Sequence, residues 1–336
     1  MTVRFGVLGV GRIGRIHARN LATQVEGAEL VAIADPRMDV AREVAARWHV
    51  PHVYADYHDV LRHPQVDAVV IATPTDTHAR IIVEAAEAGK HIFCEKPIAL
   101  DLAAIDQALE TVERAGVKLQ VGFNRRFDPT FKRVRELVAQ GAVGTPHLLR
   151  ITSRDPEPPP LEYVKVSGGI FLDMTIHDFD MARYLMGEEV EEVYAMGAVL
   201  VDPSIGQAGD VDTAVVTLRF RSGAMGVIDN SRKAVYGYDQ RVEVFGSGGM
   251  AAGENRTPDA HVLADGQGIH RPKPLYFFLE RYMDSFIAEM QAFVAALQED
   301  REPPVTGRDG RMAVVLGLAA WKSLREERPV RVSEVS

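Results

Sequence analysis

The segment from residue 168 to residue 180 carries side chains that could remove a proton from a substrate. It reads Gly-Gly-Ile-Phe-Leu-Asp-Met-Thr-Ile-His-Asp-Phe-Asp. Asp173 and His177 are four positions apart, so a continuous helix would place both on one face, one turn apart. A carboxylate beside an imidazole can orient the ring and raise its basicity, as a general base requires. The pair Gly168-Gly169 would let the backbone approach another group, such as a ligand, closely.

Other chemistries are open to these residues. Asp and His at this spacing can ligate zinc, but no third ligand follows at a useful spacing, and we predict no metal site. Asp173 and His177 could also form a buried structural pair that closes a helical turn. The single cysteine, Cys94, precedes Glu95, whose charge disfavours a thiolate, so we expect Cys94 to be a packing residue.

A glycine-rich turn near the start of the chain predicts a dinucleotide site. It follows a predicted strand over 4–9 and opens a predicted helix over 12–25. Such glycines allow a tight turn, close approach of a pyrophosphate to the helix N-terminus, and close packing of helix on sheet. The turn consists of Gly9, Val10, Gly11, Arg12, Ile13 and Gly14.

An acidic residue at the end of the second predicted strand indicates which cofactor binds. Asp35 lies 21 residues after Gly14, where a carboxylate binds the adenosine ribose hydroxyls of NAD. The same carboxylate would repel the 2′-phosphate of NADP. Arg37 could instead partner that phosphate, so NADP is the alternative cofactor.

Two further loops follow predicted strands and should reach the cofactor. Ligands in parallel sheets lie at the carboxyl ends of the strands. Histidine 78 is either a cofactor neighbour or a residue on the helix surface, and a lysine at position 96 would point into the crevice. The residues we expect at the cofactor from these loops are Thr73, Pro74, His78, Glu95 and Lys96.

The elements that would position these residues form two domains. Over residues 1–122, short apolar strands alternate with helical patterns, which predicts an α/β Rossmann domain with a parallel sheet covered on both faces. Residues 123–336 read as an α+β domain around a large, mostly antiparallel sheet. We expect a hairpin over 211–230, a long loop over 251–274, and long helices over 275–299 and 308–326. The C-terminal helix could pack back on the Rossmann domain.

The composition and charge of the chain limit the kinds of binding partner and cellular location that we expect. The net charge of −9 and the pI near 5.7 argue against nucleic acid and anionic membranes. No apolar run is long enough for a membrane span, and the strand pattern that begins at Val3 resembles no secretion signal. A single cysteine fits a reducing compartment. We therefore expect a cytoplasmic protein.

The order of these motifs resembles the glucose–fructose oxidoreductase/inositol dehydrogenase (Gfo/Idh/MocA) family. The resemblance covers nearly the whole chain and is closest to the family's myo-inositol 2-dehydrogenase branch. Four stretches carry it besides the glycine turn: Phe-Cys-Glu-Lys-Pro at 93–97, Gln-Val-Gly-Phe-Asn-Arg-Arg-Phe-Asp at 120–128, Asp-Met-Thr-Ile-His-Asp-Phe-Asp at 173–180, and Tyr-Gly-Tyr-Asp-Gln-Arg at 236–241.

The resemblance implies both an architecture and a set of site residues. It implies a C-terminal sheet whose exposed face packs against another subunit, giving dimers or tetramers. It also implies that catalysis depends on a lysine, an aspartate and a histidine, with further residues near the substrate. The implied catalytic residues are Lys96, Asp173 and His177, which also contact substrate, and the further substrate neighbours are Arg125, Asp155 and Tyr238.

On this resemblance we expect oxidation of a ring hydroxyl of a cyclic polyol, with myo-inositol giving 2-keto-myo-inositol. His177 would take the hydroxyl proton, Asp173 would orient His177, and Lys96 would stabilise the alkoxide. The alternatives are the same chemistry on scyllo-inositol, another inositol isomer or an aldose; an NAD-dependent glycoside hydrolase; and a non-catalytic NAD-binding regulator. The aromatic residues of the 275–299 helix read as a packing stripe, in which Tyr282 is a faint substrate candidate.

Overall fold

The computed structural model describes residues 2–335. The chain divides into two compact units. The first comprises the chain up to Phe127 together with Asp284–Val314, and the second comprises Asp128–Met283 and Val315 onward. The predicted boundary at residue 122 remains a prediction. The segment Asp284–Val314 is grouped with the N-terminal residues although it follows the second unit in sequence.

The first unit contains a six-stranded sheet in the order β3-β2-β1-β4-β5-β6. All of its neighbouring strands are parallel. This order is that of a Rossmann fold, which binds dinucleotides where the strand order reverses, beside β1 and β4. The strands are Val3–Leu8 (β1), Ala28–Ala34 (β2), His52–Tyr54 (β3), Ala68–Ile71 (β4), His91–Glu95 (β5) and Leu119–Gly122 (β6).

Helices cover this sheet on both faces, as continuous apolar strands require. β4, with the sequence Ala-Val-Val-Ile, is buried along its whole length. The helices of the crossovers are Arg12–Thr23 (α1), Met38–Trp48 (α2), Tyr57–Leu61 (α3), Thr75–Glu87 (α4) and Leu102–Ala115 (α5), followed by a 3₁₀ turn at Asn124–Phe127. The element pattern predicted from residues 4–121 is confirmed, with β3 and α3 as additions.

The second unit contains a seven-stranded sheet in the order β12-β11-β7-β10-β9-β8-β15. β7 and β10 are parallel, and the other pairs are antiparallel, so the predicted mostly antiparallel sheet is confirmed. Its strands are Pro146–Arg154 (β7), Val190–Ala198 (β8), Thr213–Phe220 (β9), Met225–Ser231 (β10), Asp239–Gly246 (β11), Gly249–Gly253 (β12) and Val330–Arg331 (β15).

Helices pack on one face of this sheet. Residues in β9 alternate between buried and exposed, the pattern of an antiparallel sheet with one covered face. Pro129–Ala139 (α6) lies against β11 and β12 at one edge of the sheet, and Thr175–Met186 (α9) lies against β7 and β10. The helices after β6 are Pro129–Ala139 (α6), Leu161–Val164 (α7), Gly169–Asp173 (α8), Thr175–Met186 (α9), Pro203–Gln207 (α10), Phe278–Arg281 (α11), Met283–Gln298 (α12) and Gly307–Glu326 (α13), with a 3₁₀ turn at Val332–Glu334. Of these, α12 from Asp284 onward and α13 up to Val314 belong to the first unit.

The structure corrects three sequence-based elements. The predicted loop over 251–274 includes the end of β12 and a small hairpin of Leu263–Asp265 (β13) and Gly268–His270 (β14). The predicted helix over 275–299 is interrupted at Tyr282 between α11 and α12. The segment 168–180 is two helices that meet at Met174.

None of the helices within residues 2–335 combines the length and the apolar character that crossing a membrane would take.

Candidate active site

The glycine turn between β1 and α1 has the geometry of an anion cradle. Gly9 has φ +83°, and a Cβ there would lie 2.8 Å from the Ala72 carbonyl oxygen, so both conformation and space require glycine. A Cβ on Gly14 would lie 1.9 Å from the Gly9 oxygen, which explains the close packing of helix on strand. Around Gly11 no atom lies within 4 Å of the Cβ position, and Gly11 is the N-cap of α1. The N-terminus of α1 therefore faces open space at Gly11, the arrangement in which helix N-termini bind phosphate groups.

Asp35 lies at the end of β2 beside this turn. The backbone N–H of Val10 donates to its Oδ2 at 2.9 Å, and the N–H of Arg37 donates to its Oδ1 at 2.9 Å. Burial would raise the pKa of Asp35, but the Arg37 side chain and these two N–H groups outweigh burial and lower the pKa below its ordinary value. The carboxylate is therefore anionic and fixed next to the glycine turn, as a ribose-binding acid should be.

His78 is not on the helix surface but is 2% exposed. Its two ring nitrogens lie 2.8 Å from the carbonyl oxygen of Pro97 and 2.9 Å from that of Thr73. One neutral ring can donate to only one of these oxygens. His78 therefore connects the loop after β4 to the loop that contains Lys96, and the surface alternative is wrong.

Glu95 ends β5 immediately before Lys96. Its Oε1 lies 2.6 Å from Nε2 of His17, which is fully buried on α1. Cys94 is also fully buried, and burial, together with the charge of Glu95, raises the pKa of its thiol well above the ordinary value. Cys94 is therefore a packing residue, as predicted.

Asp173 and His177 are distinguished from their neighbours by exposure. Along residues 170–182 every residue is buried except these two, which are partly exposed. The two do not share one continuous helix, because Asp173 ends α8 and His177 belongs to α9. The N–H of His177 donates to the Met174 carbonyl, three residues back, at 3.3 Å, as in a 3₁₀ turn.

The carboxylate of Asp173 is held by two donors that the sequence did not indicate. The hydroxyl of Tyr163 donates to Oδ1 at 2.8 Å, and the guanidinium of Arg232 donates to Oδ2 at 3.0 Å. Charge-assisted hydrogen bonds of this kind fix orientation strongly. The rotamer of Asp173 is thus set by residues from α7 and from the end of β10.

Arg232 also brings Asp155 into this group. Its side chain is 2% exposed and lies 3.7 Å from Oδ2 of Asp155. Burial lowers the pKa of Arg232, but the charges of Asp173 and Asp155 outweigh burial and raise it. A buried cation flanked by two carboxylates is stable only while all three are present, so Arg232 holds Asp173 and Asp155 in place.

The start of α9 is anchored to the sheet by a series of buried hydrogen bonds. The hydroxyl of Thr175 donates to Oδ1 of Asn230 at 2.6 Å, and the amide of Asn230 donates to Oδ2 of Asp178 at 2.8 Å. All three residues are buried. These bonds fix the first turn of α9, which carries His177.

The glycine pair before α8 serves packing. Gly169 has φ +76°, and a Cβ there would lie 2.5 Å from a ring carbon of Trp321 and 2.7 Å from Oδ1 of Asp210. The indole N–H of Trp321 donates to the carbonyl of Gly168 at 3.1 Å. At Gly169 the close approach that glycine permits is therefore to the side chains of Trp321 and Asp210.

The other predicted residues fall on both units. Arg125 is 5% exposed in the 3₁₀ turn after β6, in the first unit with Lys96. Tyr238 is 5% exposed in the second unit with Asp155. The Tyr238 ring meets the Tyr282 ring edge to face at 6.0 Å. Tyr282 is 1% exposed, so it is a packing residue, like the other aromatic residues predicted for the 275–299 helix. The whole predicted cofactor set lies in the first unit, and Asp173, His177, Asp155 and Tyr238 lie in the second.

The residues that sequence reasoning missed are those with distant partners. Arg232 is 59 positions from Asp173, and Glu289 reaches the neighbourhood of Glu95 from α12. One available signal was the position of Arg232, directly after β10 and next to the strand that ends before Asp155. Among residues 2–335, the one group of His, Cys, Asp and Glu side chains close enough to hold a metal ion is His17, Glu95 and Glu289.

Known proteins resemble this chain over almost its whole length. Myo-inositol 2-dehydrogenase of Thermotoga maritima is 56% identical over 333 residues, covering 99% of both chains. Inositol 2-dehydrogenase of Rhizobium meliloti is 47% identical over 333 residues, covering 99% of this chain and 100% of its own. The solved scyllo-inositol dehydrogenase from Lactobacillus casei with bound NAD(H) and scyllo-inositol is 32% identical, with a TM-score of 0.93 over 99% of this chain and 100% of its own.

Family models match both units. Residues 3–123 match the oxidoreductase family with an NAD-binding Rossmann fold, and residues 131–252 match the GFO/IDH/MocA C-terminal domain. The glycine turn, the anionic Asp35 and the two-sheet architecture agree with both matches. The chain belongs to the GFO/IDH/MocA family of oxidoreductases.

Proposed function

We propose that this enzyme oxidises a ring hydroxyl of a cyclic polyol with NAD, converting myo-inositol to 2-keto-myo-inositol. The observation that carries the proposal is the full-length similarity to a myo-inositol 2-dehydrogenase at 56% identity, in a chain that has Lys96, Asp173 and His177. The partial exposure of Asp173 and His177 in a buried segment supports their use on a ligand.

We propose NAD rather than NADP as the cofactor. The residues that would hold NAD are Gly9, Gly11, Gly14 and Asp35. When bound, NAD supplies the acceptor for the hydride that leaves the substrate carbon. Asp35 favours ribose hydroxyls, and its negative charge opposes a 2′-phosphate. The Arg37 side chain lies 3.2 Å from the same carboxylate, and this pairing supports the choice of NAD.

His177 is the proposed general base. It takes the proton of the substrate hydroxyl, and the neighbouring carboxylate of Asp173 stabilises the imidazolium that forms. Asp173 can do this only in a fixed orientation, which the donors Tyr163 and Arg232 provide. The proton thus resides on His177 after the reaction, and the oxidised carbon becomes a ketone.

Lys96 is the proposed electrostatic catalyst. Its ammonium would stabilise the negative charge that develops on the substrate oxygen as the proton leaves. The contact of His78 with Pro97 fixes the loop in which Lys96 lies. Arg125, Asp155 and Tyr238 are proposed substrate contacts, because hydrogen bonds to several ring hydroxyls are what distinguish one inositol from another.

A polyol panel with NAD and with NADP tests the proposal. Reduced cofactor is followed by absorbance, with myo-inositol, scyllo-inositol, other inositols and aldoses as substrates. Scyllo-inositol is the second candidate, since the Lactobacillus casei scyllo-inositol dehydrogenase matches this fold at a TM-score of 0.93. Turnover of an inositol with NAD supports the proposed chemistry. Release of sugar from a glycoside without net reduction of NAD, or no turnover of any polyol, would contradict it.

We further propose that a second copy of the chain covers the exposed face of the seven-stranded sheet. Large apolar side chains on this face are about half exposed: Met196 60%, Val215 45%, Met225 56%, Phe245 45% and Met250 56%. They share one face, because the strand register pairs Met196 with Val215 and Phe245 with Met250. Such a patch marks an interface, and the resemblance implies dimers or tetramers.

Light scattering on a sizing column tests the assembly. The wild type should elute as a dimer or tetramer, and Val215→Glu should shift it toward the monomer. Val235→Glu, at a residue that is 80% exposed outside the strands, is the matched control and should not. A monomeric wild type would contradict the proposal. We also propose a cytoplasmic location, which the single buried cysteine supports.

A further inference from the structure

Three ionisable side chains form a buried cluster at the end of β5. His17 lies on α1, Glu95 ends β5, and Glu289 lies on α12, and ligand-type atoms of the three lie within 4.8 Å of one another. His17 and Glu289 are both 0% exposed. The His17 ring also meets Phe93 at 5.0 Å and Phe286 at 5.9 Å. The proposed chemistry uses neither His17 nor Glu289, yet both are placed against the residue that precedes Lys96.

The surroundings of Glu289 favour its neutral, protonated form. Both of its carboxyl oxygens are buried without a hydrogen-bond partner. An ionised carboxylate without partners in a dry site is very costly, and such a group takes up a proton instead. Burial and the charge of Glu95 raise the pKa of Glu289 well above its ordinary value. Glu289 therefore has an O–H to donate.

The proton on His17 can be assigned from its two ring nitrogens. Nε2 lies 2.6 Å from Oε1 of Glu95, and Nδ1 is buried with no partner. A proton on Nδ1 would leave a buried donor unpaired, which costs more than an unpaired lone pair on a ring nitrogen. The tautomer that fits these contacts therefore carries its proton on Nε2, which donates to Glu95.

Glu95 is then the hydrogen-bond acceptor of the cluster. A Cβ on Gly122 would lie 3.1–3.2 Å from the carboxyl atoms of Glu95, so glycine in the neighbouring strand leaves room for this carboxylate. Glu95 accepts from His17 directly. Carboxyl atoms of Glu289 and Glu95 lie within 4.8 Å of each other, a gap that one bridging water can span. Polar side-chain atoms of Asn20 on α1 and Ser285 on α12 are also buried without partners.

We propose that Glu289 is a positioning residue for catalysis: as a neutral acid it donates, together with His17, to Glu95, and so fixes the strand end from which Lys96 projects. The inference rests on the proposed function for its kinetic consequence only. A displacement of about 1 Å at a reacting group can cost on the order of 10²-fold in rate. Loss of the donor at 289 should therefore lower kcat and leave the binding of NAD unchanged.

Two variants of similar size separate positioning from packing. Glu289→Gln keeps a neutral donor and should retain kcat within about threefold, because an amide N–H replaces the acid O–H. Glu289→Leu fills the space but cannot donate, and kcat should fall by about 10- to 100-fold while KM for NAD and the melting temperature stay near those of Glu289→Gln. A purely structural residue would give equal kcat values for the two variants, and that result would overturn the proposal.

An infrared measurement tests the cluster without any substrate. The wild type at neutral pH should show the carbonyl stretch of a protonated carboxylic acid, and the band should disappear in Glu289→Gln. Absence of this band would refute the neutral acid even if the polyol panel succeeds. Its presence would uphold the neutral acid even if no polyol is turned over. Metal analysis of purified protein should find no stoichiometric ion that Glu289→Gln removes, and finding one would overturn the hydrogen-bonded cluster.

Discussion

We expect the Arg232→Met substitution to destabilise the protein and to impair catalysis for separate reasons. The guanidinium is 2% exposed, 3.0 Å from Oδ2 of Asp173 and 3.7 Å from Oδ2 of Asp155. Methionine fills a similar volume but leaves Asp173 and Asp155 without their shared cation. Asp173 would also lose one of the donors that hold it for His177.

The size of the effect follows from the burial. Removing one partner of a buried ion pair typically costs about 3–5 kcal/mol. A change of 1 kcal/mol shifts the melting temperature of a 150- to 250-residue protein by about 2–4 °C. For this larger chain we take the lower sensitivity and expect a fall of about 6–10 °C. The rate constant kcat should fall because Asp173 is no longer oriented.

Calorimetry and steady-state kinetics separate the two effects. Arg232→Met/Asp173→Asn removes charges of both signs and should recover part of the melting temperature without recovering kcat. Arg15→Met is the matched control, since the pair of Arg15 with Glu43 is 40% and 59% exposed and such surface pairs contribute only about 0–1 kcal/mol. Surface pairs contribute so little that Arg15→Met should melt near the wild type. If Arg232→Met melted within about 1 °C of Arg15→Met, the stabilising role assigned to the buried Arg232 would be refuted.

Four further outcomes follow from the geometry. Asp35→Ser should shift cofactor preference from NAD toward NADP, measured as the ratio of the two kcat/KM values. The pKa of Asp35 is lowered on folding. Its contribution to stability is therefore present above its unfolded pKa, near 3.9, and is lost as pH falls through its lower folded pKa. Because Asp35 stays ionised between pH 7 and pH 5, the affinity for NAD measured by calorimetry should not fall over that range. Cys94 should react with a thiol reagent only after denaturation, since it is fully buried. Gly169→Ala should destabilise by about 1–3 kcal/mol more than Gly209→Ala in urea unfolding, because a Cβ at 169 lies 2.5 Å from Trp321 whereas nothing lies within 4 Å at 209.

Features encoded by neighbouring residues were predictable from sequence. The strand, glycine turn and helix that hold Gly9 and Gly14 form one continuous segment, and Asp35 follows at the spacing that one crossover helix fixes. The alternation of burial in β9 similarly follows from the alternation of side chains in Thr213–Phe220. In each case the pattern and the contact that it serves are close in the chain.

Features that depend on distant partners were not predictable. The break at Met174 accompanies bonds from Thr175 to Asn230, 55 positions away, and no helical pattern contains that contact. His78 looked like a surface residue because its acceptor on Pro97 lies in the next crossover. Arg232 is an ordinary basic residue in sequence and becomes an organiser of Asp173 only when β10 and α8 are brought together. Propensity and periodicity describe single elements, whereas these contacts join several.

The most direct test of the central claim is the rate of NAD reduction by myo-inositol in wild-type protein and in His177→Ala, with the affinity for NAD measured on both. The account predicts turnover by the wild type with 2-keto-myo-inositol as product. It predicts a loss of about 10²–10⁴-fold in His177→Ala, with the dissociation constant of NAD unchanged. Near-wild-type turnover by His177→Ala would contradict the proposed base, and absence of turnover of any inositol isomer by the wild type would contradict the proposed function.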